Sequence, residues 1–151
     1  MSESFRQANG RKVVSRASAQ ELGTVSHLLI DGPYRSVAAV VVGRGRRARL
    51  VDWAALSGFG PDAVMVADEG ALRTPADARE QAAADGKLEL VGRRALTELG
   101  NELGIIDDVT FNPRTGALET LRVADRDIDA AALLGSGSFA AVLDKSQESL
   151  P

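Results

Sequence analysis

The chain has 151 residues, of which 44% are hydrophobic and 26% charged, so it holds enough apolar material for a core and wholesale disorder is excluded. The absence of cysteine excludes a disulfide framework, a thiolate nucleophile and a cysteine-ligated zinc site. The net charge of −3 is unevenly spread: residues 1–66 hold nine basic and five acidic residues, and residues 67–151 hold nine and sixteen. This asymmetry indicates either drift in surface composition or a field that orients a partner or a second copy.

No segment resembles a membrane-spanning helix or a secretory signal. The longest apolar run, residues 37–42, has six residues, whereas a spanning helix needs about 18. Residues 1–6 lack the charged-then-apolar order of a signal peptide. We therefore expect a cytoplasmic protein, with any peripheral membrane association arising only through a partner.

The first part of the chain is predicted to consist of strands. Segments rich in Val, Ile and Leu, bounded by Gly and Pro turns, are typical of short strands. Asp52 is expected to cap a helical turn over residues 53–56, and Gly58 to end that turn. The predicted strands are residues 23–31, 36–42, 48–51 and 63–67.

A short alanine-rich helix is predicted in the middle of the chain. Thr74 as N-cap and Pro75 at the first helical position predict its start. Residues 76–84 favour a helix, and Asp85 with Gly86 predicts its end.

The chain contains an internal repeat. Residues 22–31 align with residues 103–112 at an offset of 81, and residues 52–66 align with residues 129–143 at an offset of 77. The offset drops by four because the second copy lacks a counterpart of residues 44–47. The predicted organisation is a first repeat at 10–67, a polar linker with a short helix at 68–86, a second repeat at 87–144, and loose ends at 1–9 and 145–151.

The second copy is predicted to follow the first with one strand fewer. Residues 112–116 form the turn between its strands, Asp129 caps a helical turn over 130–134, and residues 139–143 close the unit. No counterpart of the strand at 48–51 is expected. Strands this short and regular favour a small barrel, which leaves no exposed edges.

The repeated motif resembles the PRC-barrel family. Its pattern is Leu-Gly-x-Val/Ile-x-x-Leu/Val-x-Ile/Phe-Asp/Asn at 22–31 and 103–112, followed by a turn, a Val/Leu-rich strand, Asp, a helical turn and a closing strand. That family is named after the H subunit of the photosynthetic reaction centre, and it includes the C-terminal domain of the ribosome maturation factor RimM. The family's usual acidic residue is present as Asp108 but replaced by His27 in the first copy. The resemblance implies a mainly β protein with two small PRC-type barrels in tandem, short helical turns and a helical linker.

The resemblance also implies a class of role. Family members act mainly as docking modules without shared catalytic residues, and some stand-alone relatives serve membrane-attached or cell-division assemblies. We therefore expect a non-enzymatic cytoplasmic adaptor or scaffold that binds a protein partner through a barrel face, as a homodimer. The alternative is an RNA- or ribosome-associated assembly factor, by similarity to RimM. No catalytic residue, cofactor or metal is predicted.

Comparing the copies separates inward from outward positions, because side chains alternate along a strand. Positions that are apolar in both copies are placed inside: Leu28 and Val109, Ile30 and Phe111, Val40 and Leu121, Val42 and Val123. The alternate positions Leu29, Ala39 and Val41 face outward, and their counterparts in the second copy are Thr110, Thr120 and Arg122. An exposed apolar face indicates a contact, with the other barrel, a second copy or a partner. With the neighbouring His27, these three residues form the predicted interface.

An arginine-rich loop is the second candidate surface. Arg44, Arg46, Arg47 and Arg49 lie within six residues at a predicted hairpin tip, and guanidinium forks suit carboxylates and phosphates. No aromatic residue is interleaved to stack bases, which disfavours nucleic acid. The open alternatives are a solvated turn that protects a sheet edge, a site for an acidic protein partner, and a nucleic-acid site.

Other patterns are assigned structural roles. His27 is the only histidine, and Ser26 faces the opposite side of its strand, which excludes a local Ser–His pair. Asp125-x-Asp127-x-Asp129 starts like a calcium loop, but Ala130 and Ser136 stand where glycine and glutamate are needed. Trp53 is predicted to plug one barrel end.

Overall fold

The computed structural model describes residues 2–148, and the chain is mainly β, as predicted. The strands are β1 (Glu3–Ser4), β2 (Lys12–Ser15), β3 (Glu21–Ile30), β4 (Val37–Val42), β5 (Arg49–Asp52), β6 (Leu56–Phe59), β7 (Val64–Val66), β8 (Arg94–Thr97), β9 (Glu102–Phe111), β10 (Leu118–Val123), β11 (Arg126–Asp129), β12 (Leu133–Ser136) and β13 (Ala141–Leu143). The α-helices are α1 (Phe5–Ala8) and α2 (Ala78–Ala84). Turns of 3-10 helix cover Gly45–Arg47, Trp53–Ala55, Glu69–Ala71, Ala130–Ala132 and Lys145–Gln147. Within the described range no helix has the length and apolarity to cross a membrane.

The strands form two sheets with the same internal order. The first sheet is β5-β4-β3-β2-β7-β6, and the second is β11-β10-β9-β8-β13-β12 with β1 added beside β9. Neighbouring strands are antiparallel except β2 with β7 and β8 with β13, which are parallel. One of the two sheets curls into a half-barrel. The sequence repeat is therefore also a repeat of strand order and direction.

The register of the strands repeats residue by residue. Leu29 pairs with Ala39 in the first sheet, and Thr110 pairs with Thr120 in the second. Both pairs obey the offset of 81. The inward positions predicted from the comparison of copies are buried in the main core, except Leu28, which is partly buried and packs against it, and this confirms the assignment of the two faces.

The sequence prediction gave no range for six of the strands: β1, β2, β6, β8, β11 and β12. β11 exists in the second unit because Ala124 and Asp125 both adopt positive φ (50° and 63°), which makes a two-residue hairpin turn without the usual glycine. β6 follows the 3-10 turn directly and contains Gly58. From the sequence, this glycine was expected only to end the turn. A register irregularity between Leu56 and Gly58 lets this glycine lie inside the strand.

The N-terminal segment is ordered, contrary to the expectation of a loose end at 1–9. Ser4 caps α1 by accepting a hydrogen bond from the Gln7 N–H, and Phe5 of that helix is buried. β1 pairs with β9, so the start of the chain adds a strand to the second sheet. Glu3 also forms an ion pair with Arg11 at 2.8 Å, and both side chains are at most 10% exposed. Part of the expected C-terminal loose end, residues 149–151, lies outside the described residues.

The main hydrophobic core contains side chains from both sheets. Phe111 lies at its centre, with ring centroids 5.6 Å from Phe5, 5.3 Å from Phe59 and 6.1 Å from Trp53. Trp53 stacks on Phe59 at 5.7 Å. Trp53, which was predicted to plug a barrel end, therefore packs where the two units meet.

The turn between β9 and β10 connects the second unit to the first. The Val37 N–H donates to the Gly116 carbonyl at 2.9 Å, and the Leu118 N–H donates to the Arg35 carbonyl at 2.9 Å. Gly116 has φ +81°, and a Cβ at this position would lie 2.9 Å from Cε2 of Trp53. Glycine is therefore required there both by backbone conformation and by the close approach of the indole.

Helix α2 starts later than predicted. Its N-cap is Asp77, which accepts from the Glu80 N–H at 2.8 Å, and Thr74 and Pro75 precede it in extended structure. The predicted end at Asp85 and Gly86 is confirmed, with Gly86 at φ +77°.

Arg73 fixes α2 to the first sheet. Its guanidinium donates to both carboxylate oxygens of Glu80 at 2.7 Å, and to the two oxygens of Asp52 at 2.8 and 3.2 Å. Asp52 therefore does not cap the turn Trp53–Ala55 as predicted, whereas Asp129 does cap its own turn, through the Ala131 N–H at 2.8 Å. The hydrogen bonds from Arg73 lower the pKa of Glu80 from 4.5 to about 2. Glu80 and Asp52 together raise the pKa of Arg73 above its ordinary value.

Glu80→Gln is expected to reduce the free energy of unfolding by about 1.5 kcal/mol at pH 7, because the partly exposed charge-assisted bonds to Arg73 are lost. The low folded-state pKa of Glu80 stabilises the protein above pH 4.5, and this contribution disappears as the pH falls towards 2. The difference between wild type and variant, measured by urea denaturation, should therefore shrink between pH 5 and pH 2. A difference that stays constant with pH would contradict this account.

Gly116→Ala is expected to destabilise the fold by about 1–3 kcal/mol more than Gly100→Ala. Both glycines lie in turns with similar φ (+81° and +90°), so the backbone strain is matched. Only the Cβ at Gly116 meets the Trp53 ring, whereas nothing lies within 4 Å of a Cβ at Gly100. Equal losses in denaturant titrations would show that the contact with Trp53 does not constrain the junction.

Candidate interaction surfaces

The apolar face predicted as an interface is buried by the chain's own helix. Leu29, Ala39 and Val41 are 3%, 2% and 0% exposed. They form a second hydrophobic cluster with Ala83 and Ala84 of α2. The side chains do lie on the face opposite the main core, as predicted, but that face is not open to a partner, because α2 packs on it. Sequence alternation identified an apolar face without showing what covers it.

The corresponding face of the second unit is polar. Thr110 and Thr120 share a hydrogen bond of 2.6 Å between their hydroxyl groups, and Arg122 forms an ion pair with Asp127 at 3.2 Å. Thus the face that α2 covers in the first unit is apolar, and the corresponding face of the second unit is polar.

His27 also makes its main contact within the chain. Its Nδ1 atom pairs with a carboxylate oxygen of Glu89, and its side chain is 16% exposed. The ring lies against Gly86, at the end of α2. His27 therefore connects β3 to the segment that follows α2. Its counterpart Asp108 accepts instead from the Arg6 N–H of the N-terminal segment.

The predicted arginine-rich loop is an exposed 3-10 turn between β4 and β5. Arg44, Arg46 and Arg47 are exposed, whereas Arg49 is half-buried and donates to the carbonyls of Arg46 and Ala48 at 3.1 and 2.9 Å. In the second unit the same place is taken by the two-residue turn Ala124–Asp125. We call the four arginines 44, 46, 47 and 49 the arginine loop.

Among the residues that the structure describes, the guanidinium groups of the arginine loop have no carboxylate partner. Within residues 2–148, the arginines in ion pairs are Arg6, Arg11, Arg73, Arg94 and Arg122. Arg46 and Arg49 line an open groove of about 510 Å³ together with Thr74, Pro75, Gln81 and Asp85. The Asp85 carboxylate in this groove accepts a hydrogen bond from the Gln81 amide at 3.1 Å. The loop thus offers unneutralised cationic forks to an anionic group.

A larger groove lies where the two units meet. It has a volume of about 860 Å³ and is lined by Trp53, Ala54, Leu56, Ser57, Gly58, Phe59, Asn112, Pro113 and Arg114. Arg114 is the one ionisable side chain that lines it within residues 2–148. Two of its lining residues, Trp53 and Phe59, belong to the aromatic cluster that joins the sheets.

An exposed apolar surface on the second unit was not predicted. Phe139 is 70% exposed, Leu99 63%, Ile105 51% and Leu134 45%. The Arg94 guanidinium lies 5.1 Å from the centroid of the Phe139 ring. A signal was present in the sequence, because the first-copy counterparts of Ile105, Leu134 and Phe139 are Thr24, Ser57 and Asp62.

Comparison with known proteins adds no assignment. The sequence matches no protein-family profile, and no curated protein is significantly similar to it. The function is therefore argued from the surfaces described above.

Proposed function

We propose that this chain is a non-enzymatic cytoplasmic adaptor, built from two PRC-type barrel units in tandem with a helical linker, that binds an acidic segment of a protein partner through its arginine loop. The observation that carries the proposal is the arginine loop itself. It is exposed, it lacks carboxylate partners within residues 2–148, and it is inserted only in the first of two otherwise matching units.

The PRC-type assignment rests on the resemblance of the repeated motif, whose two glycines occupy equivalent places in the two units. Gly23 and Gly104, from the two Leu-Gly pairs, have φ of +149° and +141°. A Cβ would lie 2.7 Å from Val42 at the first glycine and 3.4 Å from Val123 at the second. The motif thus places glycine at the same close approach of β3 to β4 and of β9 to β10.

The geometry of the loop favours a carboxylate-rich polypeptide. An arginine fork donates two parallel hydrogen bonds to a carboxylate, and three exposed forks on one short turn match closely spaced acidic side chains. An extended nucleic acid needs a longer row of basic side chains than this loop provides. Residues 67–151 do not extend that row, because they hold sixteen acidic residues against nine basic ones. Neither the loop nor the groove beside it contains an aromatic side chain for base stacking.

An adaptor of this kind gains from working as a homodimer. Two copies present two arginine loops, and a partner with two acidic segments is then bound with a higher effective concentration at the second site. The homodimer is part of the proposal, and the binding of one acidic segment to one loop does not depend on it.

The second candidate is an RNA- or ribosome-associated assembly factor that uses the same loop. It follows from the resemblance to RimM and from the affinity of guanidinium groups for phosphates. Because both candidates use the same residues, the choice between them depends on which anion binds.

Deleting residues 44–47 gives β4 and β5 the short connection found in the second unit, and should abolish binding of an acidic peptide. The probes are a fluorescent oligoglutamate peptide and an oligouridine RNA, each of about ten units, titrated with the full chain and followed by anisotropy. The wild type should bind the peptide more tightly than the RNA. The deletion should weaken peptide binding at least tenfold, and added salt should weaken wild-type binding.

The matched controls separate position from total charge. Arg44, Arg46 and Arg47 changed together to Gln should reproduce the deletion, whereas the same change at Arg114, Arg122 and Arg126 should leave binding within about twofold of wild type. Preference for the RNA would establish the second candidate. Failure to bind either probe, or equal loss in both triple variants, would overturn a role for the arginine loop.

A further inference from the structure

The outer face of the second sheet forms an apolar surface around Arg94. Arg94 pairs with Ile105 across β8 and β9, and Leu96 pairs with Val142 across β8 and β13. On β8, Ala95 and Thr97 are 0% and 2% exposed, so their side chains face the core. Side chains alternate along a strand, so Arg94 and Leu96 project outwards. We call this surface the outer apolar face; it consists of Arg94, Leu96, Ile105, Leu134, Phe139 and Val142.

Phe139 and Arg94 contact each other on this face. Phe139 lies in the turn between β12 and β13, and its ring contacts the Arg94 guanidinium. Arg94 also forms an ion pair with Glu102 at 2.9 Å, with the two side chains 46% and 55% exposed. Counted together with Glu102 beside it, the outer apolar face combines exposed apolar area with one charge of each sign.

The first unit shows that the fold does not require an apolar surface here. The equivalent positions in the first sheet hold Lys12, Val14, Thr24, Ser57, Asp62 and Met65. Thr24, Ser57 and Asp62 are polar where Ile105, Leu134 and Phe139 are apolar. The same strands and register are thus compatible with polar side chains, and the apolar residues of the second unit point to a contact outside the chain.

We propose that the outer apolar face is the surface through which two copies of this chain associate. This rests on the homodimer in the proposed function and names its interface. A twofold axis places the same patch on both subunits, so a face that is apolar with one cation and one carboxylate complements itself: Arg94 of each copy can meet Glu102 of the other. A partner of one dominant charge would select a face of the opposite charge, and this face has no net charge.

The location of the face also fits a dimer that binds partners. It is built from β8, β9, β12 and β13, whereas the arginine loop connects β4 and β5. No residue belongs to both surfaces. Sheet faces can pack on each other directly, with their strands nearly aligned. The dimer would therefore leave both arginine loops free.

The test measures the oligomeric state of the full chain by sedimentation velocity over a concentration series. The variant combines Ile105→Thr, Leu134→Ser and Phe139→Asp, which introduces the residues that the first unit carries at these positions. The wild type should form a dimer, and the variant should dissociate at least tenfold more readily. The control variant Asp62→Ser in the first unit should dimerise like the wild type. All three replaced side chains are exposed, so the variant should keep the β-sheet circular dichroism of the wild type.

The outcomes separate this inference from the proposed function. A wild type that stays monomeric at every concentration overturns both the homodimer and its interface, and a dimer that the triple variant leaves intact overturns the interface alone. In the monomeric variant, the oligoglutamate peptide should still bind at one site per chain, because the arginine loop is unchanged. The dimer should also persist at about 0.5 M salt, which weakens the charged contact of the loop but not apolar burial.

Discussion

The packing around Phe111 is the contact on which the arrangement of the two units depends. Its ring is fully buried and meets Trp53 and Phe59 from the first sheet and Phe5 from the N-terminal helix. Aromatic pairs at these distances contribute beyond their buried area, roughly 0.5–1.5 kcal/mol each. Because one side chain serves both sheets, the units cannot separate without exposing the core. A sequence duplication has therefore become one cooperative structure rather than two independent modules.

That shared core makes the differences between the copies informative. Both copies must keep the inward positions apolar, so those positions say little about function. The outward positions are free to differ, and they do: α2 covers Leu29, Ala39 and Val41 in the first unit, whereas polar Thr110, Thr120 and Arg122 occupy the same places in the second. The chain has one connecting helix between its copies, so only one copy can have this face covered by it.

Much of this fold follows from comparing the sequence with itself. Paired positions such as Val40 with Leu121 predicted the inward face, because only burial demands an apolar side chain in both copies. The packing of α2 on Leu29 could not be predicted, because alternation shows that a face is apolar but not which element packs on it. The turn at Ala124 and Asp125 lacks the usual glycine, and α1 is too short for periodicity to detect. Both elements depend on tertiary contacts: β11 on its pairing with β10, and Phe5 on Phe111.

Each candidate surface is also a place where the two copies differ. The first unit carries exposed arginines on a turn that is four residues shorter in the second unit. The second unit carries exposed apolar side chains at positions where the first unit has polar ones. Charged groups on a loop are strongly hydrated, so they attract a partner over a distance at little cost to folding. Exposed apolar side chains instead favour a contact that is maintained, because water is released when they are buried. In the proposed function, the first unit would therefore serve reversible recognition and the second unit stable association.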